Sequence, residues 1–418
     1  MQKESLTVPV SAAPLRRKVP LTTPLRHARY RQLWLANLVS NLGTWTQTFA
    51  SAWLIATVAT SASTTTLVQT ASYVPIFLFA LIAGVIADAV DRPRFLFFCN
   101  LFMALCACVM AGLVMSGHVS AAPVLALTFC LGAGAAFMWP AWQASMSGLV
   151  DPDEVEAAAT LNNLSYNAAA ILGPALGGLL FNWVGAGALI LVNAVSFVGL
   201  LGVYWTWWRE PGRPPQAPGG DFASSLKTGL ATAFGCRRYR HILVNVSTVF
   251  FATIAFAALL PVYVRNVLHM ESGVFGLLMG SMGAGAVTAA FILPTLRQYV
   301  GKTPLLAASL VVYGLMLIVL PFLHALYLLV PLIVAAGMAW SATVSTLNAA
   351  AQLSFPVAIR ARTLSIYLFV MAGGYAVGSV VWGKVADLFG VQAALATAGV
   401  CVLVNAITLL TAKRENAI

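Results

Sequence analysis

The feature that most constrains this chain is a succession of apolar runs, each long enough to cross a bilayer. Twelve can be marked, at roughly 33–58, 66–87, 95–116, 121–149, 157–183, 187–208, 242–264, 272–296, 304–323, 326–352, 363–385 and 391–412. A helix of about 20 mostly apolar residues spans the hydrocarbon core, and in lipid each backbone polar group must be bonded within its own segment. The runs therefore predict an all-α polytopic membrane protein with twelve transmembrane helices. Composition agrees: 60% of the residues are hydrophobic and 8% charged, against about 25% charged in soluble domains.

Lysine and arginine set the orientation. With the N-terminus in the cytoplasm, all of the 23 basic residues except Arg265 and Lys384, hence 21, fall in the tails and cytoplasmic loops. This is the positive-inside pattern. It predicts both termini in the cytoplasm and accounts for the net charge of +11 without a nucleic-acid partner. The first 30 residues are basic but lack an apolar core, so they predict a cytoplasmic tail and not a cleaved signal; an organellar transit peptide is the alternative. The six cysteines follow no framework spacing, and no disulfide is expected.

The loops are short except for residues 209–241, a linker containing PGRPPQAPGG. It separates a first six-helix bundle (31–208) from a second (242–412), with a C-terminal tail at 413–418. Within the linker Phe222, Leu226, Leu230 and Phe234 recur every four residues. With Asp221 as cap and Gly235 as stop, they predict a short amphipathic helix on the inner membrane surface. The bundles are distantly repeated: DPDEVEAAATL (151–161) and FPVAIRARTL (355–364) hold matching positions, followed by ILGPALGG (171–178) and AGGYAVGS (372–379). Two pseudo-symmetric bundles around a midplane site are expected.

Three constellations stand out. The first is GVIADAVDRPR at 84–94, which gathers Gly84, Asp88, Asp91, Arg92 and Arg94 in a chain that avoids charge. Asp88 ends the second helix where the eleventh begins, near Arg360 and Arg362, and a carboxylate is stabilised at a helix N-terminus. Arg92 and Arg94 can reach Glu154 and Glu156 in the next cytoplasmic loop. The second is Gly173, Pro174, Gly177 and Gly178, small residues that permit close helix contact beside a bend; they fit either plain packing or a gate. The third is a pair of polar stripes at spacing 0, 4, 7 and 11: Asn37, Asn41, Thr44 and Thr48 in the first helix, and Ser341, Ser345, Asn348 and Gln352 in the tenth. Such stripes face protein or water and not lipid. With Trp45, Trp139, Trp142, Gln143, Asn245 and Trp340 they predict a cavity for an amphipathic solute, with helix–helix hydrogen bonding as the alternative. None of the twelve acidic residues lies mid-membrane, so no proton-coupling carboxylate is apparent. No GxxxxGK phosphate loop and no Cys/His metal spacing occur, and no cofactor or enzymatic activity is expected.

GxxxDxxDRxR after the second helix, the central linker and the helix count resemble the major facilitator superfamily. RHARYRQLWLANLVSNLGTWTQTFASAWL (26–54), LGAGAAFMWPAWQASMSGLVDPDEVEAAATLN (131–162), LNNLSYNAAAILGPALGG (161–178) and IRARTLSIY (359–367) resemble its drug- and siderophore-exporter branch, which includes the bacterial enterobactin exporter. Pro93 and Ala89 depart from the loop motif. Thr128 and Ala170 stand where the branch carries arginines. The resemblance implies a latch between the halves at residues 84–94, a gate at residues 173–178, and a monomer in a bacterial inner membrane. It also implies export of a siderophore or drug by alternating access, driven by protons. An uptake carrier or lysophospholipid flippase on the same fold, and a non-transporting receptor or scaffold, remain open.

Overall fold

A computed structural model describes residues 20–117, 119–209, 231, 235–355 and 357–411. The predicted linker helix, apart from Ala231 and Gly235, and both tails, apart from residues 20–30, lie outside them. Among the described residues all regular structure is helical. The first helices are α1 (Ala28–Val58), α2 (Ala62–Ala89), α3 (Arg92–Met115) and α4 (Ala121–Ser147). A helical stretch Val155–Trp208 follows, broken at Gly185 with φ 77° and ψ 169°. A side chain bearing Cβ resists that conformation, so the break yields α5 (155–184) and α6 (186–208). Then come α7 (Arg237–Val262), running into a π-turn at Tyr263–Val267, α8 (Ser272–Tyr299), α9 (Lys302–Val319), α10 (Leu326–Leu353), α11 (Val357–Phe389) and α12 (Val391–Thr411). Gly390, at φ 89°, makes the one-residue turn between α11 and α12. Among the described residues ten helical stretches are long and apolar enough to span a membrane, and one of them, Pro152–Trp208, has 57 residues, length enough for two crossings. The 31-residue α1 has the length but is more polar, because it carries Arg29, Arg31 and its Asn/Thr stripe.

The helices alternate between two faces. The tail face holds the start of α1 and the α4–α5 junction; the far face holds the α1–α2, α7–α8 and α11–α12 turns. Within the first half α1 packs on α5 and α6, α2 on α4, and α3 on α4 and α6. Within the second, α7 packs on α11 and α12, α8 on α10, and α9 on α12 and α10. The matching pairs share devices. Tyr30 donates its hydroxyl to the Ala158 carbonyl at 3.0 Å, tying α1 to α5, and Tyr239 donates to the Thr363 carbonyl at 2.5 Å, tying α7 to α11. Both tyrosines sit in an Arg-Tyr-Arg triplet, at 29–31 and 238–240. Gly173 and Gly177 press against Trp45 and Phe49 of α1, as Gly374 and Gly378 press against the Ser247–Ile254 stretch of α7. The distant sequence repeat is therefore carried by the same close helix crossings in each half.

The halves meet through α2 with α11 and through α5 with α8. One buried core takes in the far ends of the first six helices together with the second half. Among the described residues, the tail-face core of the first half, around Tyr30, Leu33, Leu96, Trp142, Leu161 and Tyr204, draws on that half alone. The shared packing thus lies towards the far face.

Candidate functional site

At the tail face, α2 ends next to the turn into α3. Asp91 has extended φ/ψ and its carboxylate accepts the Arg94 backbone amide at 3.2 Å, capping α3. The Arg94 guanidinium lies 3.8 Å from Asp91 and stacks over the Trp208 ring at 5.6 Å. Glu154, expected to meet the arginines, is instead engaged by His27 at 2.7 Å. The short 3-10 turn Thr23–Arg26 delivers His27 to that position. Both described ion pairs stay within the first half. The side chains of Asp88, Arg360 and Arg362 lie outside the described residues. Arg92 and Glu156 are engaged in contacts of their own. Ligand atoms of His27, Asp151 and Glu154 fall within 4.8 Å of one another, and the direct His27–Glu154 contact satisfies two of the three without an ion.

The polar stripes occupy different surroundings. On α1, Thr44 is exposed, Asn41 and Thr48 are half-buried and Asn37 is buried. Thr44 donates to the Asn193 side-chain oxygen on α6 at 3.3 Å, and Thr48 donates to the Thr44 carbonyl. Thr44 thus combines a helix–helix bond with the greatest exposure in the stripe. On α10, Ser341, Ser345, Asn348 and Gln352 are all half-buried, and Gln352 donates to Asn348 at 3.0 Å. Asn245 on α7 donates back to the His241 carbonyl. On α4, Trp139 and Trp142 stack at 5.4 Å; Trp139 and Gln143 are exposed, while Trp142 is buried and its indole N–H has no partner among the described residues.

What joins the two stripes is a set of aromatic residues. Tyr73 on α2 and Tyr375 on α11 meet across the halves with ring centroids 4.3 Å apart, and Phe77 and Phe369 do the same at 4.3 Å. Phe250 stands edge-on to both Tyr375 and Trp340, and Trp45 lies against Tyr166. Tyr375 has Tyr73, Tyr313, Tyr367 and Tyr166 as electrostatic neighbours, so phenols from four helices converge here. Tyr166 is exposed to the space between them, and the buried Tyr367 hydroxyl has no partner among the described residues. Rings in this arrangement can stack on a planar solute, and phenols can donate or accept hydrogen bonds. The sequence reading missed these tyrosines. Their signal was position: Tyr73, Tyr166 and Tyr375 fall inside apolar runs and not at the ends, where interfacial aromatics belong.

Beyond these rings, towards the far face, the helices are in close contact. A Cβ at Gly173 would stand 2.5 Å from Trp45 Cβ, and one at Gly177 2.6 Å from the Phe49 ring. Gly178 meets Gly276 of α8, and Pro174 presents its carbonyl to the same residue. Phe275 of α8 stacks on Phe49 at 4.9 Å and on Trp53 at 5.6 Å. Asn182 donates to Glu271 at 2.7 Å, and Arg265 donates to the Ala56 carbonyl. The glycine set thus sits at a contact between the halves. Two grooves lie away from the stripes: about 470 Å³ walled by phenylalanines of α2, α3 and α4, and about 520 Å³ at the far face beside Asp387 and Asn266.

Comparison with known proteins agrees with this architecture. The family described as transmembrane secretion effector matches residues 20–416. The staphyloferrin A transporter of Staphylococcus aureus is 23% identical over 363 residues, covering 86% of this chain and 90% of that protein. The multidrug efflux pump Tap of Mycolicibacterium fortuitum is 22% identical over 370 residues, 86% of this chain and 89% of that protein. Among solved structures, the nucleoside transporter NupG superposes with a TM-score of 0.71 at 12% identity, over 92% of this chain and all (100%) of that one. A bacterial homologue of the iron transporter ferroportin, in an inward-facing state, gives 0.68 at 14% identity over 92% and 99%. At such identities the structures speak for the fold.

Proposed function

This chain belongs to the transmembrane secretion effector family of major facilitator transporters, and on that premise we propose that it exports a small amphipathic molecule, a siderophore or drug, by alternating access. The observation that carries this reading is the aromatic cluster at the junction of the halves, packed over at the far face, beside a first-half tail-face core that among the described residues is built from that half alone. That is the arrangement of a carrier loading from the tail face, which the basic loops assign to the cytoplasm of a bacterial inner membrane. The relatives named for staphyloferrin A transport and multidrug efflux support export of this class of cargo.

The side chains clustered here among the described residues are aromatic and hydroxylic, led by Tyr73, Tyr166, Tyr375, Phe77 and Phe369. They suit a solute with planar rings and hydrogen-bonding edges and give a strongly charged one no ion pair. Proton exchange is the proposed drive, since the sequence has no phosphate loop for ATP. Inside-out proteoliposomes with an imposed pH gradient test both parts. A panel of ring-bearing siderophores and dyes should accumulate in the lumen and dissipate the gradient. Failure of every solute to move, with the protein folded, would reject export; movement indifferent to the gradient would reject proton coupling alone.

A further inference from the structure

Asp387, near the end of α11, accepts the backbone amides of Ala62 and Ser63 with one carboxylate oxygen, at 2.7 and 3.2 Å. Those are the first amides of α2. A carboxylate of one half thus sits on the helix N-terminus of the other, where unpaired N–H groups and the helix dipole favour negative charge. Four residues earlier, Gly383 lies so close to α2 that a Cβ would fall on the Thr66 hydroxyl and 2.8 Å from Ser63 Cα.

Two sequence relations give this contact a role. Gly178 and Asn182 on α5 have the same spacing, and each pair stands ahead of a left-handed glycine, Gly185 or Gly390, by the same three residues. Asn182 and Gly178 grip the start of α8 as Asp387 and Gly383 grip the start of α2. The second relation is the stretch GVIAD at 84–88, which recurs as GKVAD at 383–387. Because α2 and α11 run antiparallel, one copy ends each helix, at opposite faces. A Cβ at Gly84 meets no described atom within 4 Å, whereas Gly383 is gripped.

We infer that Gly383 and Asp387 are the charged member of a paired far-face closure, and that parting Asp387 from the first amides of α2 is a step in opening that face. The inference rests on the alternating-access reading. Asp387 is solvent-exposed, so its contact is weak enough to break in every cycle.

The test uses the full chain in nanodiscs, with the six native cysteines replaced and the fold retained. Spin labels at Met115→Cys and Tyr327→Cys, exposed positions at the far ends of α3 and α10, report the far-face separation. Asp387→Asn removes the charge. Ala62→Pro removes the 2.7 Å amide donor at a helix position that tolerates proline, behind a Ser61 already extended at φ −135° and ψ 151°. Each should raise the open-to-closed ratio about two- to five-fold, the range expected for an exposed charge at a helix end. Unchanged distance distributions in both variants, with wild type transporting, would overturn the latch and leave the transport reading intact. Opening by both variants in a protein that moves no solute would uphold the latch and fail the transport reading.

Discussion

Gly178 on α5 and Gly276 on α8 face each other across the boundary between the halves so closely that a Cβ on either would stand 2.9 Å from the other's Cα. The colliding atoms are backbone, so no flexible side chain can move aside. Overpacking of this kind costs about 1–3 kcal/mol, comparable to the energy separating two states of a carrier. Gly276→Val should therefore push the far face apart and lower transport about tenfold or more, with faster labelling of far-face cysteines. Gly280, one turn on, is the internal control: a Cβ there lies 3.5 Å from Ala175 Cβ, an ordinary contact. Gly280→Ala should transport like wild type, and equal damage from both substitutions would refute the geometric account.

The clustered tyrosines separate stacking from hydrogen bonding. Tyr375→Phe keeps the ring that meets Tyr73 at 4.3 Å and removes only the hydroxyl. Tyr375→Ala removes both. An aromatic contact is worth about 0.5–1.5 kcal/mol beyond its buried area, so the alanine variant should weaken binding of a ring-bearing solute about three- to tenfold. The phenylalanine variant should bind stacked dyes normally and lose affinity for solutes with donor and acceptor edges. Quenching of the intrinsic tryptophan fluorescence by the solute gives the titration. Unaltered binding in Tyr375→Ala would move the cargo site elsewhere.

Much of this architecture was legible in the sequence, for definite reasons. Backbone satisfaction in lipid leaves a long apolar run little choice but a helix, so the runs 157–183 and 187–208 became α5 and α6 although one residue, Gly185, separates them. The glycines at 173–178 were also visible, because close approach needs small residues wherever it occurs. Partners were not visible. Glu154 is held by His27, 127 positions away, because a short N-terminal turn folds beneath the bundle. The Thr44 side of the polar stripe is occupied by Asn193, and spacing along one helix says nothing of what stands opposite. Tyr73, Tyr166 and Tyr375 escaped because an aromatic residue in an apolar run reads as core until tertiary structure turns it inward.

The Tyr30 and Tyr239 bonds hold equivalent helix pairs at the tail face, and both tyrosines are fully buried. Phenylalanine at either position keeps the packing and deletes one hydrogen bond, a loss of about 0.5–1.5 kcal/mol. Tyr30→Phe and Tyr239→Phe should each lower the melting temperature of the purified protein by a few degrees, and by similar amounts. The two should add when combined, since the bonds share no residue and lie in different halves. A large effect of one and none of the other would break the pseudo-symmetric correspondence.

Asn193 is the polar centre of the first half. It is 2% exposed, donates to Gln47 at 2.5 Å, and accepts from Thr44 and Ser196. Replacing it with leucine preserves volume but strands the Gln47 carbonyl oxygen, which is itself buried. Leaving one buried polar group unpaired costs about 1–3 kcal/mol, whereas removing both partners can be nearly neutral. Membrane helices average closer to about 0.6 kcal/mol for such bonds, so the lower end applies. Asn193→Leu and Gln47→Leu should each destabilise the protein, and the double variant should be more stable than the sum of the two losses predicts. Thermal unfolding of the four proteins closes the cycle. Strict additivity would mean that the contact contributes nothing, and that α1 and α6 are held by the close fit of Gly43 against Asn193 and Ser196.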